Sequence, residues 1–396
     1  MQIYLVGGAV RDTLLERPIK DRDYVVVGAT AEHLTAQGFV PVGKDFPVFL
    51  HPHSQAEYAL ARVERKTGSG YGGFSFCTDT HVTLEEDLSR RDLTINAMAI
   101  EVDEHGNVLP NAAIIDPYHG QADLAQRVFR HVSPAFVEDP LRVLRVARFM
   151  ARYHSYGFAI APETLSLLQA IGHSGELTAL SAPRVWQETA RALLEASPMA
   201  YFDVLNQAQC LTPWFSDLCL ASILPHAKTP LQLPSLPQLG EEEGGVELSS
   251  EAQLAVMTCA VTLATPLADV KRWCAALPLP NLVQDCILLT HTHHAALMRW
   301  HTLPSEDILR VLQQFDVLRR PERICLSISA LQCAKPTPAT KVTEPTAFDP
   351  SLIHACVTAI QQVNVQAIIA QGYQGAAIKP QLQLAQLAQI NAALGR

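Results

Sequence analysis

The chain has no apolar run near the roughly 18 residues that a bilayer-crossing helix needs, so no membrane partner is expected. Its first residues, MQIYLVGG, lack a positively charged segment and a small-residue cleavage motif, so no secretory signal is expected either. No Cys-x-x-Cys pair is present. The nine cysteines stand singly and are odd in number, which favours reduced thiols in a cytoplasmic protein over a disulfide framework or a zinc site. A basic excess is missing too: 30 Lys and Arg against 39 Asp and Glu leave a net charge of −9. That balance argues against DNA as a partner but leaves RNA open, provided the basic residues gather locally.

What is present is concentrated at the start. Gln2 to Val6 reads as a buried strand stopped by Gly7-Gly8, and Ala9 to Glu16 as the opening of a helix. Asp21-Arg22-Asp23 then leads into a second strand, Tyr24 to Val27. Residues two apart in a strand share a face, so Asp21 and Asp23 are expected side by side with Arg22 turned away. Adjacent carboxylates repel unless a cation lies between them, and hard oxygen donors of this kind suit Mg²⁺. The glycine pair lets backbone amides approach an anion, and Arg11 adds a cation. This turn has neither the Gly-Lys-Ser/Thr of a Walker loop nor a dinucleotide fingerprint. A phosphate cradle, a cation and a metal-binding carboxylate pair are the equipment of nucleotidyl transfer.

The combined string, LVGGAVRD followed by DRDYVVV, resembles the signature of the class II tRNA nucleotidyltransferase and poly(A) polymerase superfamily. Later segments resemble further motifs of that superfamily in order. Strand-like Gln55 to Arg62 carries Glu57, the candidate for a third acidic residue; the alternative is a solvent-facing strand glutamate. Glu64 to Phe74, rich in glycine, reads as a surface loop able to close over a substrate. In RRDLTINAMA, Arg91 and Asp92 precede a helical stretch with Asn96 four residues beyond Asp92. The resemblance implies that this group holds ribose and triphosphate. Asp116 resembles part of a third motif and reads as structural.

Glu138-Asp-Pro-Leu-Arg-Val-Leu-Arg-Val-Ala-Arg-Phe149 matches a fourth motif, with Asp139 expected as N-cap and Pro140 at the first helical position. Arg142, Arg145 and Arg148 form a stripe with no intervening acid, which points to phosphate or base binding. Cytosine and adenine each offer an amino donor beside an unprotonated ring nitrogen. A carboxylate that only accepts and a guanidinium that only donates therefore fit C and A, and leave mismatched partners against G and U. Asp139 with Arg142 is that pair, and the resemblance implies that it stands in for a template. Arg184 and Glu188 resemble a fifth motif and are expected to pair between neck helices.

Beyond residue 215 the resemblance weakens. Residues 224–250 and 334–350 read as linkers around helical segments. Many relatives carry a metal-dependent phosphohydrolase domain here, marked by a His-Asp doublet. Cys259-Ala260 stand in the aligned position and cannot ligate a hard metal; His291, His293 and His294 have no acidic neighbour, so no phosphohydrolase activity is expected.

The implied fold is α+β: a small mixed-sheet, polymerase-β-like nucleotidyltransferase head (1–137), a helical neck (138–222) and an all-α body and tail (223–396). The implied activity is template-independent addition and repair of the 3′-terminal CCA of tRNA from CTP and ATP. In that reading Asp21 and Asp23 ligate Mg²⁺ and act with Glu57. Gly8, Arg11, Arg91, Asp92, Asn96, Arg145 and Arg148 bind the sugar and triphosphate. Poly(A) polymerase and a CC- or A-adding specialist remain alternatives, with a non-catalytic RNA-binding module more remote. Against the poly(A) alternative, Lys44 is followed by Asp45 where such enzymes carry two basic residues.

Overall fold

Two short β-branched and aromatic segments form the middle of a sheet because both of their faces are covered. β1 (Gln2–Val6) and β2 (Asp23–Val27) run antiparallel, with Val6 opposite Asp23 and Tyr4 opposite Val25. In this computed structural model, residues 1–19, 21–42, 48–66, 74–220, 248–333 and 348–396 are described. The tip of the glycine-rich stretch, the Lys44-Asp45 pair and most of both linkers lie outside the described residues. Outward from β1 and β2 come β3 (Val40–Val42), β4 (Val48–Leu50) and β5 (Glu57–Leu60), while β6 (Val63–Lys66) and β7 (Phe74–Cys77) pair with each other. β8 (Ala99–Val102) and β9 (Ile114–Ile115) complete the main sheet, whose order is β3-β4-β5-β2-β1-β8-β9. β2 and β5 are parallel and the other neighbours antiparallel, so the sheet is mixed, as expected.

Strand alternation divides the side chains between two cores. Tyr4, Val6, Val25 and Ala99 pack on one face with Leu88 and Ala97. Ile3, Leu5, Tyr24 and Val26 are buried on the other, where Tyr24 stacks on Tyr58 with ring centroids 4.4 Å apart. The register that sets Val6 opposite Asp23 also sets Asp23 opposite Glu57. Both carboxylates thus leave the first face at its end, where the apolar cover stops.

Helices α1 (Gly8–Leu14), α2 (Ala31–Ala36), α3 (Leu84–Ser89) and α4 (Gly120–Gln126) accompany the sheet. α3 opens with a capping box between Thr83 and Glu86. Asp116 accepts the amides of Gly120 (2.6 Å) and Gln121 (2.9 Å) at the start of α4, the structural role expected of it. Helices α5 (Leu141–Tyr153), α6 (Pro162–Ser174), α7 (Ala182–Leu193) and α8 (Met199–Gln207) follow. Met1–Ala192 with Ala200–Pro213 form one compact unit. Leu193–Met199 with Trp214–Arg396 form the other. Its helices are α9 (Ser250–Thr262), α10 (Leu267–Ala276), α11 (Asn281–Met298), α12 (Ser305–Gln314), α13 (Glu322–Cys333), α14 (Pro350–Gln361), α15 (Val365–Ala370) and α16 (Ile378–Ala393). Trp300, Leu312, Phe315 and Ile353 are among its fully buried centre. Among the described residues no helix is long and apolar enough to cross a membrane.

Four local expectations are adjusted. Residues 64–66 and Phe74, read as part of a surface loop, belong to the paired strands β6 and β7. β2 begins at Asp23, so Asp21 lies just ahead of the strand rather than within it. Thr94–Asn96 is a single 3₁₀ turn, not the start of a helix, because Thr94 and Ala99 are drawn into pairing with Arg130 and with β1. Helix α5 starts at Leu141; Asp139 still caps it, accepting the Leu141 amide at 3.0 Å from one residue further back.

Candidate active site

Within the N-terminal unit the end of the sheet, the α3–3₁₀ segment and helix α5 enclose a cavity of about 580 Å³. Asp23 and Glu57 stand on one wall, Asp139 and Arg142 on another, with Gly7, Gly8 and Asn96 also at its surface. Nine arginines line it, against the four carboxylates of Asp23, Glu57, Asp92 and Asp139. In a chain of net charge −9 this is a strong local reversal of sign. It suits a polyanion.

Asp23 is open to the cavity yet walled in by its neighbours. Burial raises its pKa above the usual carboxylate range, Arg91 opposes that shift and Asp21 adds to it. Asp21, Asp23 and Glu57 are all exposed at the strand ends, where nothing in the packing needs them.

The glycine turn is shaped by the second motif. Gly7 has φ +67°, and its amide donates to the Met98 carbonyl at 3.1 Å. The positive φ favours glycine, and a Cβ placed on Gly7 would lie 2.9 Å from Arg91 Nη1, so any larger residue must also displace that guanidinium. Arg11 is buried, donating to Asn96 Oδ1 at 2.6 Å and to Asp12 Oδ1 at 3.0 Å. Asn96 in turn donates to Asp92 Oδ1 at 3.0 Å, the contact that their spacing suggested although the backbone is not helical. Asp92 Oδ2 receives Arg145 through Nε and Nη2, both at 2.8 Å. Burial alone would raise the Asp92 pKa, but Arg145 and Asn96 outweigh it and hold the carboxyl well below its usual value.

Helix α5 is buried almost all round, which is unusual for a helix carrying four arginines. Each guanidinium is accounted for. Arg142 donates to the Ala135 carbonyl at 3.1 Å and to the Arg90 carbonyl. Arg148 pairs with Glu188 at 2.6 Å and Arg152 with Asp12 at 3.4 Å. The ion pair placed on Glu188 is thus cross-helix, with Arg148, and Arg184 lies 3.5 Å from Asp139. These differ from the Arg184–Glu188 pairing expected within the neck. Phe149 lies under Arg148 (4.8 Å to the ring centroid), Arg11 (5.5 Å) and Arg145 (5.8 Å), a cation–π arrangement that neutralises none of them.

Several residues at the site were not singled out by sequence. Asp87, Asp12 and Phe149 each organise two or more arginines. Only Asp87 carried a readable signal, its spacing of three and four to Arg90 and Arg91. Asp12 accepts Tyr153 Oη at 2.8 Å across 141 residues, which no local pattern encodes. In the C-terminal unit Cys259 and Ala260 are buried in α9, His291 Nε2 lies 3.1 Å from Thr262 Oγ1, His293 is buried beside Phe315, and His294 is exposed.

The donor chemistry fits a hard divalent cation at the sheet end. Asp21 and Asp23 offer oxygen only, and Asp21 adds like-charge repulsion to the upward shift that burial gives Asp23, a repulsion that a cation between them would relieve. Among the described residues no group of three or more His, Cys, Asp or Glu side chains converges on one point. Such a pair leaves the remaining coordination to phosphate oxygens and water, the usual arrangement for a cation that arrives with a nucleotide.

Residues 3–130 match the family described as the poly A polymerase head domain, and residues 157–221 one described as a probable RNA and SrmB-binding site of polymerase A. The chain is 46% identical over 402 aligned positions to the multifunctional CCA protein of Pseudoalteromonas atlantica, covering 96% of this chain and 97% of that one. It is 44% identical to the CCA-adding enzyme of Alteromonas mediterranea, covering 98% of each. Among solved structures, a CCA-adding enzyme in its apo form II superposes with a TM-score of 0.70 at 22% identity, over 98% of this chain and 88% of that one. The Bacillus stearothermophilus CCA-adding enzyme in complex with CTP gives 0.63 at 24% identity, over 98% and 89%. These two likenesses establish the α+β fold, and the long, high-identity matches establish more: the chain belongs to the family of CCA-adding enzymes, tRNA nucleotidyltransferases that carry the poly A polymerase head domain.

Proposed function

We propose that this chain builds and repairs the 3′-terminal CCA of tRNA, taking CTP and ATP without a nucleic-acid template and releasing pyrophosphate. One observation carries the residue-level reading. A single arginine-lined cavity has Asp23 and Glu57 on one wall and Asp139 and Arg142 on another. The family is metal-dependent, and Mg²⁺ held by Asp21 and Asp23 would supply the Lewis acidity that in-line attack on the α-phosphate requires.

The protein's own groups do the rest. Glu57 adds a third carboxylate beside Asp23. Arg91, beside the Gly7-Gly8 turn, neutralises triphosphate charge at the open end of the cavity, with Gly8 allowing the phosphates close to the backbone. Arg11 and Arg148 are buried and Arg145 is held by two bonds to Asp92, so these three contribute positive potential from fixed positions. Asp92 and Asn96 set the sugar pocket. Asp139 accepts from the exocyclic amine of cytosine or adenine while Arg142 donates to the neighbouring ring nitrogen. In this reading residues 1–137 are the head, 138–222 the base-reading neck and 223–396 a body and tail facing the tRNA by shape and backbone.

The test uses the full chain, Mg²⁺, labelled CTP and ATP, and tRNAs ending before the first C, after C and after CC. Restoration of complete CCA ends is expected. Long A-tails would point to a poly(A) polymerase, and arrest after CC, or addition of the final A alone, to a specialist. Asp21→Ala should abolish incorporation with an unchanged melting temperature, since its side chain is exposed. Full activity in that variant removes Asp21 from the chemistry.

A further inference from the structure

Asp87 is fully buried, and the hydrogen-bond partners of its carboxylate come from residues of the cavity wall. Its Oδ1 accepts from Arg90 Nη2 at 2.7 Å and Nε at 3.1 Å, and from the Arg62 amide at 3.2 Å. Its Oδ2 accepts from Arg91 Nη2 at 3.2 Å. Arg62, Arg90 and Arg91 all line the cavity. Arg91 reaches from there to Gly7 and lies close enough to Asp23 to offset that carboxyl's upward shift. The Arg90 carbonyl accepts Arg142. One enclosed carboxylate therefore joins the two walls: through Arg91 the carboxylate end, and through Arg90, whose guanidinium it holds and whose carbonyl accepts Arg142, the base-reading end.

We propose that Asp87 is a positioning residue for the nucleotide, holding Arg91 toward the triphosphate and the Arg90 carbonyl beneath Arg142. The inference rests on reading the cavity as the nucleotide site. Two cations on adjacent residues would otherwise repel each other, and a flexible guanidinium loses rotamer freedom when it grips a phosphate. A buried anion lying between them removes both costs before the nucleotide arrives, which is preorganisation in the ordinary sense. Burial pulls the Asp87 pKa upward, but Arg90 and Arg91 outweigh it and hold it below the usual range, so the group is ionised wherever the protein is folded at neutral pH.

A merely structural Asp87 and a positioning one differ in what Asp87→Asn does to the nucleotide step. The full chain carrying D87N is assayed for CTP addition to a tRNA ending before CCA, alongside its melting temperature and its discrimination of CTP from UTP. The expected result is a KM for CTP raised about tenfold, the size of one lost charge-assisted hydrogen bond, with kcat scaled to the folded fraction changing much less. UTP incorporation should rise with it. Combining D87N with Arg91→Ala should add little to the KM effect of Arg91→Ala alone, because both act on one grip. If D87N melts below the assay temperature, Asp87→Glu takes its place under the same criteria, since it keeps the charge and shifts the oxygens. An unchanged KM and unchanged UTP discrimination in the folded variant overturn the proposal. A wild-type chain that fails to extend tRNA at all refutes the function instead, so the two failures are distinguishable.

Discussion

Arg145 points both Nε and Nη2 at one oxygen of Asp92, each at 2.8 Å, joining positions 53 residues apart in sequence. The other Asp92 oxygen is taken by Asn96, which itself receives Arg11. The first, second and fourth sequence motifs are therefore one hydrogen-bonded chain, with the Asp92 carboxylate as its central link.

Truncating that carboxylate leaves a guanidinium without its counter-ion. One-sided loss of a buried pair costs about 3–5 kcal/mol. Arg145 keeps 35% of its side chain accessible and can rehydrate, which places Asp92→Ala at the lower end, about 3 kcal/mol. Denaturant unfolding of the full chain measures it, and a loss below about 1 kcal/mol would mean that the pair behaves like an exposed one. The acid side follows from the same contacts. Asp92 is held below the usual carboxyl value in the folded state, while an unfolded aspartate titrates near ~3.9. Its contribution is complete above about pH 4 and fades as pH falls toward the lower folded value. The stability gap between wild type and Asp92→Asn should narrow below pH ~4, and a gap constant from pH 7 to 3 counts against the ion pair.

Gly7→Ala tests the turn. At φ +67° a non-glycine residue costs roughly 1–2 kcal/mol, and the added methyl meets Arg91 Nη1 at 2.9 Å. A guanidinium end can move, so the variant should fold, with the strain appearing as a modest drop in melting temperature. The functional effect is expected in KM for CTP and ATP, raised several-fold by the displaced Arg91. A variant with wild-type KM shows that Arg91 acts elsewhere.

How much of this was legible beforehand follows the range of each interaction. β1, the glycine turn and the acidic entry to β2 are local, and the residues stated them directly: Gln2–Val6 is the strand expected, and Glu57 falls in register with Asp23. The arginine stripe of α5 was also visible, because a helix repeats its face every three to four residues. What those arginines bind was not. Arg148 pairs with Glu188 and Arg152 with Asp12 because separate elements pack together, and spacing within one helix carries no information about that. The Asp92–Asn96 contact was anticipated for a helical reason and formed for another, a 3₁₀ turn that brings the same side chains together.

Arg142 gives the sharpest functional prediction. Its guanidinium is fixed by two backbone carbonyls, Ala135 and Arg90, so its direction does not depend on the nucleotide. Arg142→Ala should raise misincorporation of UTP and GTP relative to CTP and ATP by at least about tenfold, a small part of the discrimination that a fully paired polar site can reach. Competition assays with mixed nucleotides read this directly, and selectivity equal to wild type moves base recognition away from this residue. Asp139→Asn separates the two halves of the reader: an amide can donate as well as accept, so it should admit a carbonyl-bearing base more readily than Arg142→Ala does.

His291 gives a pH signature in the C-terminal unit, independent of nucleotide chemistry. Burial lowers its pKa to about 4, and the charge of His294 on the same helix pushes in the same direction. Its Nε2 lies 3.1 Å from Thr262 Oγ1, a neutral hydroxyl that offers no charge to offset protonation. An unfolded histidine takes its proton near ~6.5, so the unfolded state binds protons first as the solution is acidified. The stability that neutral His291 contributes is therefore complete above about pH 6.5 and is lost as pH falls toward 4. His291→Gln retains an amide that can bond to Thr262 and removes the titration. Melting temperatures recorded from pH 7.5 to 4 should fall more steeply for the wild type than for His291→Gln across that window. Parallel curves would show that His291 stays solvated and that its contact with Thr262 does not hold the ring neutral.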